Sequence, residues 1–132
     1  MTAAHDRRTE QHRLSVCVTC RSAAWRPGTP REGRLLFGLI ASFLRSWSQR
    51  DKLALYGVEC LSNCARPCAI ALSADGKDGY EFGDLLPTEE TAEAVLATVE
   101  RYVADKPGEL PEADLPATLR RGLIAHYPYA AD

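Results

Sequence analysis

One stretch decides how this chain is organised: Cys60-Leu61-Ser62-Asn63-Cys64-Ala65-Arg66-Pro67-Cys68. It holds three of the five cysteines, at C-x3-C-x3-C spacing, and the other two stand upstream in Cys17-Val18-Thr19-Cys20. Clustered cysteines in a reducing compartment more often bind a metal or carry out redox chemistry than form disulfides. An odd number of cysteines also argues against a fully paired disulfide framework. The two groups are therefore predicted to close around one metal centre, with an iron–sulfur cluster as the first hypothesis.

Length and composition are typical of one soluble globular domain. The chain has 132 residues, of which 45% are hydrophobic and 26% charged, and a chain of this size can bury a core without disulfide staples. No run approaches the ~20 apolar residues that span a bilayer. Residues 1–13 are polar and lack the apolar segment of a secretory signal. We therefore expect a cytoplasmic protein without a membrane partner.

The net charge of −2 conceals an uneven distribution of charged residues. Residues 1–50 contain nine arginines against three acids, whereas residues 51–132 contain seven basic residues against fifteen acids. Such an asymmetry can steer a charged partner, but it is equally compatible with a basic face that lies beside an acidic one. The basic half has almost no interleaved aromatic residues, so we do not expect it to bind nucleic acid.

The first half of the chain predicts a strand–helix–strand unit. Residues 14–18 and 53–58 are typical of short strands, residues 21–30 of a Pro- and Gly-containing loop, and residues 31–49 carry apolar side chains at helical spacing. If the two strands are parallel neighbours, the helix is the crossover of a βαβ unit. Both cysteine groups would then leave the same edge of the sheet and could form one site.

The second half predicts a β-hairpin followed by a helix. Residues 69–73 and 80–82 are typical of two strands that are joined by an Asp/Gly turn. The helix is predicted to begin after Thr88 as N-cap, with acids in its first turn, and to end near Asp105. The order is therefore β-α-β-β-β-α, which in outline is an α/β fold of the thioredoxin-like sandwich type.

Three segments are expected along the chain: a flexible N-terminal arm at 1–13, one α/β domain at 14–106 and a C-terminal extension at 107–132. His12 is expected to be a solvated residue of the arm. The extension is predicted to form a short helix over 115–123, followed by an irregular tail that contains His126.

Four of the five cysteines are predicted to be the metal ligands. A [2Fe–2S] cluster requires four thiolates on loops that face one another, and thiolate sulfur suits iron–sulfur clusters or zinc. Cys17 and Cys20 would supply two ligands, and Cys60 and Cys64 the other two. Cys68 is then surplus, either as an inert buried cysteine or as an alternative fourth ligand in place of Cys64.

The arrangement of cysteine phrases and secondary structure resembles known proteins over residues 14–127. The order of strands, helices and cysteine pairs is similar to that of the thioredoxin-like [2Fe–2S] ferredoxins and of the related small flavoprotein-associated subunit of respiratory NADH dehydrogenases. A bacterial family of predicted metal-binding proteins without a firmly assigned function is more similar still. Its members often accompany cobalamin-biosynthesis genes. That second resemblance is carried by Cys17-Val-Thr-Cys20-Arg21, Gly57-Val-Glu-Cys60-Leu-Ser-Asn-Cys64-Ala-Arg66-Pro67-Cys68 and Tyr80-Glu-Phe-Gly83-Asp84.

The resemblance implies one-electron transfer by a thioredoxin-like ferredoxin domain at 14–106 with a [2Fe–2S] cluster. A flavoprotein or pyridine-nucleotide-dependent reductase would supply the electron, and a downstream acceptor, for which family association suggests corrinoid or cobalt metabolism, would take it. Arg21 and Arg66 would flank the cluster and favour its reduced form, unless they are ordinary solvated side chains. The protein would be an electron carrier rather than an enzyme. The sequence does not determine its oligomeric state, and a homodimer is one possibility.

Three other interpretations stay open. A structural zinc site would use four of the five cysteines, although zinc modules usually carry two C-x2-C steps. A dithiol oxidoreductase or thiol-based metallochaperone would use Cys17 and Cys20. Such a pair is expected to open a helix, whereas here a loop separates Cys20 from the helix predicted to begin at residue 31. A small interaction domain with buried cysteines is the third.

Overall fold

The computed structural model describes residues 12–61, 66–105 and 107–129. Within these ranges the chain forms a sheet in the order β2-β1-β3-β4-β5, built from β1 His12–Cys17, β2 Leu53–Val58, β3 Ile70–Ala74, β4 Gly79–Phe82 and β5 Leu123–Tyr127. The helices are α1 Glu32–Leu44, α2 Glu89–Ala104 and α3 Ala117–Arg121, with 3-10 turns at Arg50–Lys52 and Glu112–Asp114. Every element of the predicted β-α-β-β-β-α order is present. No helix in this part of the chain is long and apolar enough to cross a membrane.

β1 and β2 form the parallel pair that the sequence predicted, and the remaining pairs of the sheet are antiparallel. The register places Cys17 at the end of β1 opposite Val58 at the end of β2. α1 connects the two strands and contacts both, as the crossover of a parallel pair must. Both cysteine-bearing loops therefore leave the sheet side by side, at the carboxyl ends of the parallel strands.

The sheet and the two long helices share one hydrophobic core. The helices contact each other, and each turns an apolar stripe at three- and four-residue spacing inward, as predicted. The buried members of these stripes are Leu36 and Ile40 on α1 and Ala92, Val95, Leu96, Val99 and Tyr102 on α2. Burial of these side chains, at about 25 cal/mol per Å² of apolar surface, is the main force that holds the helices on the sheet.

α1 is shorter than the predicted helix over 31–49, because its backbone hydrogen bonds change after Leu44. The Ser46 N–H donates to the Phe43 carbonyl and the Trp47 N–H to the Leu44 carbonyl. These three-residue contacts tighten the last turn and end the helix. Trp47, beyond this end, packs against the core as a half-buried side chain.

Thr88 caps α2, as the sequence predicted. Its hydroxyl accepts a hydrogen bond from the Thr91 N–H at 3.2 Å, one of the donors that a helix start leaves without an intrahelical partner. Glu89 and Glu90 lie in the first turn, where negative charge is favourable. The helix ends at its predicted position, with Asp105 as C-cap.

The prediction of an irregular tail after residue 124 is wrong, because residues 123–127 form β5 at the edge of the sheet. β5 pairs antiparallel with β4. The connection is tight: Gly122 ends α3, and the Gly83 N–H donates to the Gly122 carbonyl at 2.7 Å. A Cβ on Gly122 would lie 2.2 Å from the Gly83 carbonyl oxygen, so only glycine allows this approach. The extension expected at 107–132 thus completes the sheet of the preceding segment.

His12 is not a solvated residue of an arm, as expected, but begins β1 with 9% of its surface exposed. Its Nδ1 donates to the Lys52 carbonyl at 3.1 Å, and its Nε2 accepts from Lys77 Nζ at 2.9 Å. β1 therefore begins at His12, two residues before its predicted start at residue 14. The two hydrogen bonds of the imidazole hold this first residue of the strand in place. Residues 1–11 of the expected arm, His5 among them, lie outside the described ranges.

Asp78, in the turn between β3 and β4, ties the end of β5 to the rest of the sheet. Its side-chain oxygens accept from His126 Nε2 and from the Tyr129 N–H, each at 2.8 Å. Asp78 is 8% exposed. Burial alone would raise the pKa of this carboxyl, but the hydrogen bonds from Tyr129 and His126 outweigh it and lower the pKa. His126 also stacks on Tyr80, with ring centroids 4.4 Å apart.

Replacing Asp78 with Asn is expected to lower the free energy of unfolding by about 1–3 kcal/mol, because one of its two acceptor oxygens becomes a donor. Asp75→Asn is the matched control, since Asp75 is an exposed partner of Arg13 and should change stability by less than about 0.5 kcal/mol. Denaturant unfolding measures both.

The stabilisation from Asp78 should depend on pH. The lowered pKa means that the contribution of the Asp78 carboxylate to stability is complete above the ordinary pKa of aspartate, about 4, and is lost as the pH falls through the pKa of Asp78 in the folded protein. The difference between wild type and Asp78→Asn should therefore shrink in acid.

Candidate metal centre at the ends of the parallel strands

Cys17 joins the two cysteine-bearing loops in space. It is the last residue of β1, and its Sγ lies 3.7 Å from the Glu59 carbonyl oxygen, to which the thiol donates. The Leu61 N–H in turn donates to the Cys17 sulfur. The backbone on both sides of Cys60 therefore touches the Cys17 thiol. The parallel register brings the two cysteine groups to one place, as the strand pattern had predicted.

Cys17 and Cys20 form a buried pair. They are 3% and 7% exposed, and their thiols are hydrogen-bonded to each other. The Cys17 N–H donates to the Ala69 carbonyl at 3.1 Å, and the Ala69 N–H donates to the Cys20 sulfur. The pair is thus held against the start of β3 as well as against the second loop.

The start of α1 lies directly on this pair. The Gly33 N–H donates to the Cys20 carbonyl at 3.1 Å. A Cβ at Gly33 would lie 1.9 Å from the Cys17 carbonyl oxygen and 3.2 Å from the Cys20 Cβ. The loop that separates Cys20 from the helix in sequence therefore folds back on itself, and the helix begins beside the cysteines. The loop between Cys20 and the helix was taken above as evidence against dithiol chemistry. Because the helix begins next to the cysteines in the structure, the length of the loop is no longer an argument against it.

The remaining cysteines occupy different environments. Cys60 is exposed, and Cys64 lies outside the described residues. Cys68 is 1% exposed, and its backbone exchanges two hydrogen bonds of 3.2 Å with Leu85. In the described part of the chain, no group of three or more His, Cys, Asp or Glu residues is arranged to hold a metal ion. The ligand set Cys17, Cys20, Cys60 and Cys64, with Cys68 as alternative, therefore stays a prediction.

Burial and hydrogen bonding separate the pKa values of the three buried thiols. Burial would raise the pKa of Cys17, but hydrogen bonds from Cys20, from Thr19 and from the Leu61 backbone lower it overall. Burial first, and then the hydrogen bond to Cys17, raise the pKa of Cys20 to about 12. Burial, with the negative charges of Glu32 and Cys17, raises the pKa of Cys68 to about 12. A metal that binds these thiols must displace their protons, so its affinity will rise with pH.

Of the two arginines expected to flank the site, Arg66 is neutralised by a carboxylate. Its Nε lies 2.7 Å from Asp84 Oδ2, and its Nη2 donates to the Arg121 carbonyl. Arg21 instead lies beside the cysteine pair, with its guanidinium 4.9 Å from the centre of the Trp25 ring. Positive charge near the cysteines thus comes from the loop that follows the first pair.

That loop lines a half-open cavity of about 530 Å³ next to the cysteines. Its lining includes Cys17, Thr19, Cys20, Arg21, Trp25 and Arg31. No role had been assigned to Trp25 or to Arg31 from the sequence. A concentration of Arg and Trp directly after a cysteine pair was the available signal, but only the folded loop shows that these side chains line one cavity.

Comparison with known families identifies the chain. A family described as "Protein of unknown function (DUF1636)" matches residues 14–129. This chain belongs to the DUF1636 family. Among curated proteins, none matches it.

Solved structures similar to this DUF1636 protein include the thioredoxin-like [2Fe-2S] ferredoxin from Aquifex aeolicus. One structure of the wild-type ferredoxin shares 22% identity at a TM-score of 0.56, covering 88% of this chain and 98% of the ferredoxin. A second structure has the same identity and TM-score and covers 89% and 93% of the two chains. A cysteine-to-serine variant of it shares 21% identity at a TM-score of 0.55, covering 86% and 98%. At this level of identity the likeness establishes the fold, which is the predicted thioredoxin-like α/β fold.

Two glycines of α1 test the close approach of the helix to the cysteines. Gly33→Ala should lower the free energy of unfolding by about 1–3 kcal/mol or more, because its Cβ would overlap the Cys17 carbonyl. Gly38→Ala, in the same helix, meets nothing within 4 Å and should raise stability by up to about 1 kcal/mol through helix propensity. Chemical denaturation of both variants measures this. Equal stability of the two variants would mean that α1 does not begin against the cysteine pair.

Proposed function

We propose that this DUF1636 protein is a small electron carrier of the thioredoxin-like [2Fe–2S] ferredoxin type. The observation that carries the proposal is the contact of the Cys17 thiol with Cys20 on one side and with the backbone around Cys60 on the other. It joins two thiol-bearing loops at the carboxyl edge of the parallel strands. The shared fold with [2Fe-2S] ferredoxins supports the same reading.

The donor chemistry of the site fits such a cluster. Thiolates are the ligands that iron–sulfur clusters require, and Cys17 and Cys20 are paired, buried and held by hydrogen bonds from three neighbouring segments. Cys60 is the third ligand in this proposal; it is exposed and stands between Glu59 and Leu61, whose backbone contacts Cys17. The bound cluster would supply one-electron transfer. The polypeptide would hold two thiolates away from water and leave the opposite side open to a redox partner.

Cys64 is the proposed fourth ligand, in preference to Cys68. The two hydrogen bonds between Cys68 and Leu85 fix the backbone of Cys68, and the residue is 1% exposed. Both features resist a movement of Cys68 toward Cys60. Cys64 lies four residues after Cys60 in the sequence, on the loop that carries the third ligand.

The proposed partners follow from this chemistry. A flavoprotein reductase would donate the electron and a second protein would accept it. The corrinoid or cobalt pathway as the place of that acceptor rests on the family resemblance alone. The proposed location is the cytoplasm, where thiols stay reduced. The proposed electron carrier can be a monomer or a homodimer.

Thiol chemistry is the second candidate function, and the hydrogen-bonded pair of Cys17 and Cys20 favours it. A reactive dithiol needs one thiol with a lowered pKa. Burial would raise the pKa of Cys17, but hydrogen bonds from Cys20, from Thr19 and from the Leu61 backbone lower it overall. In that case Cys17 and Cys20 would exchange electrons or hold a metal transiently, without a resident cluster. A structural zinc site is the third candidate, and it would use the same thiols as a closed four-ligand knot.

Metal analysis after anaerobic purification separates these functions. The proposal expects a reddish-brown protein with about two irons and two sulfides per chain, whose colour bleaches with dithionite. A colourless protein with about one firmly bound zinc would establish the structural site instead. A metal-free protein, even when iron and sulfide are supplied anaerobically, would leave thiol chemistry as the function.

Single Cys→Ser variants test the ligand set. Substitution of Cys17, Cys20, Cys60 or Cys64 should remove the visible spectrum or shift it, because serine replaces a soft thiolate by a hard oxygen. Cys68→Ser should keep the wild-type spectrum and iron content. Circular dichroism confirms that each variant is folded. Loss of the cluster in Cys68→Ser with retention in Cys64→Ser would instead assign the fourth ligand to Cys68.

A further inference from the structure

Two arginines are held in place at the cavity beside the cysteine pair. The guanidinium carbons of Arg21 and Arg31 lie 4.9 and 5.3 Å from the centre of the Trp25 ring. Arg31 also donates to the Thr19 carbonyl at 2.9 Å, and the Trp25 indole N–H donates to the Thr29 carbonyl at 3.0 Å. Cation–π contacts and hydrogen bonds of this kind restrict long side chains that would otherwise be free. The two charges are thus positioned before any ligand arrives.

Neither charge is neutralised within the described residues. The ion pairs of this part of the chain involve other basic residues. The nearest acid in sequence, Glu32, forms no ion pair with either arginine; its carboxylate accepts from the backbone N–H and the hydroxyl of Ser22, which also lines the cavity. These two hydrogen bonds lower the pKa of Glu32. Two positioned guanidiniums without a carboxylate partner therefore line one cavity.

We propose that this cavity binds a small dicarboxylate, with one carboxylate on Arg21 and the other on Arg31. A guanidinium presents paired N–H donors that match the two oxygens of a carboxylate. A volume of about 530 Å³ lies within the range of small-molecule sites and exceeds what a single inorganic anion fills. This site goes beyond the proposed electron-carrier function, and it shares its cavity with Cys17 and Cys20, two of the proposed cluster ligands.

Titration with glutarate tests the site, with the Trp25 fluorescence as reporter. The chain has two tryptophans, so Trp47→Phe leaves Trp25 as the single indole, and calorimetry on the unsubstituted protein repeats the measurement. Glutarate should produce a saturable change with a dissociation constant at or below about 1 mM. Acetate, which has one carboxylate, should bind at least about tenfold more weakly, because it engages a single guanidinium.

Charge-matched variants locate the binding. Arg21→Gln and Arg31→Gln should each weaken glutarate binding by about tenfold or more. Arg26→Gln removes the same charge from the same loop, outside the cavity lining, and should weaken it by less than about twofold. Equal effects of all three variants, no saturable binding of glutarate, or tighter binding of inorganic phosphate than of glutarate would each overturn the proposal. The titration is repeated after iron and sulfide are supplied anaerobically, with metal content measured on the same sample; glutarate binding by a protein that stays metal-free would sustain this site while refuting the electron carrier.

Discussion

The parallel pairing of β1 with β2 is the constraint on which the site depends. It sets Cys17 level with Val58 and so places the thiol against the backbone on both sides of Cys60. A slip of one residue in this register would turn Cys17 to the other face of the sheet, since side chains alternate along a strand. The buried residues of β1, Leu14 and Val16, fix the register because the same slip would bring them out of the core. The same register of β1 against β2 is therefore needed both for the stability of the sheet and for the position of Cys17 in the site.

The contact between α1 and the cysteine pair adds a second requirement, which is steric. Gly33 lets the helix approach until its N–H reaches the Cys20 carbonyl, and any larger residue would overlap the Cys17 carbonyl. The loop between them then folds outward and lines the half-open cavity. One small residue thus allows both the burial of the thiols and the presence of a cavity lined by Arg21, Trp25 and Arg31.

Periodicity and turn chemistry predicted the order of the elements from β1 to α2, and the cap at Thr88, because those signals are local. They failed at β5, whose side chains do not alternate between buried and exposed; that strand exists because β4 offers an edge. They failed equally at His12 and His126, each of which is held by a partner far away in the sequence: Lys77 and Asp78. In the site, the strand–helix–strand pattern predicted that the two cysteine-bearing loops meet. The loop after Cys20 folds back because the Gly33 N–H donates to the Cys20 carbonyl, and no local sequence pattern reveals this tertiary contact.

The charge around the cysteines bears on all three candidate functions. A thiolate pair, a zinc tetrathiolate and a reduced iron–sulfur cluster each concentrate negative charge at the same point, and each is stabilised by nearby positive charge. Arg66 contributes little to this, because Asp84 offsets it, whereas Arg21 and Arg31 line the cavity that the thiols also line. An anion bound to those two arginines would withdraw their field from the sulfur atoms. If both proposals hold, a bound dicarboxylate would therefore favour the less negative state of the group that the cysteines hold.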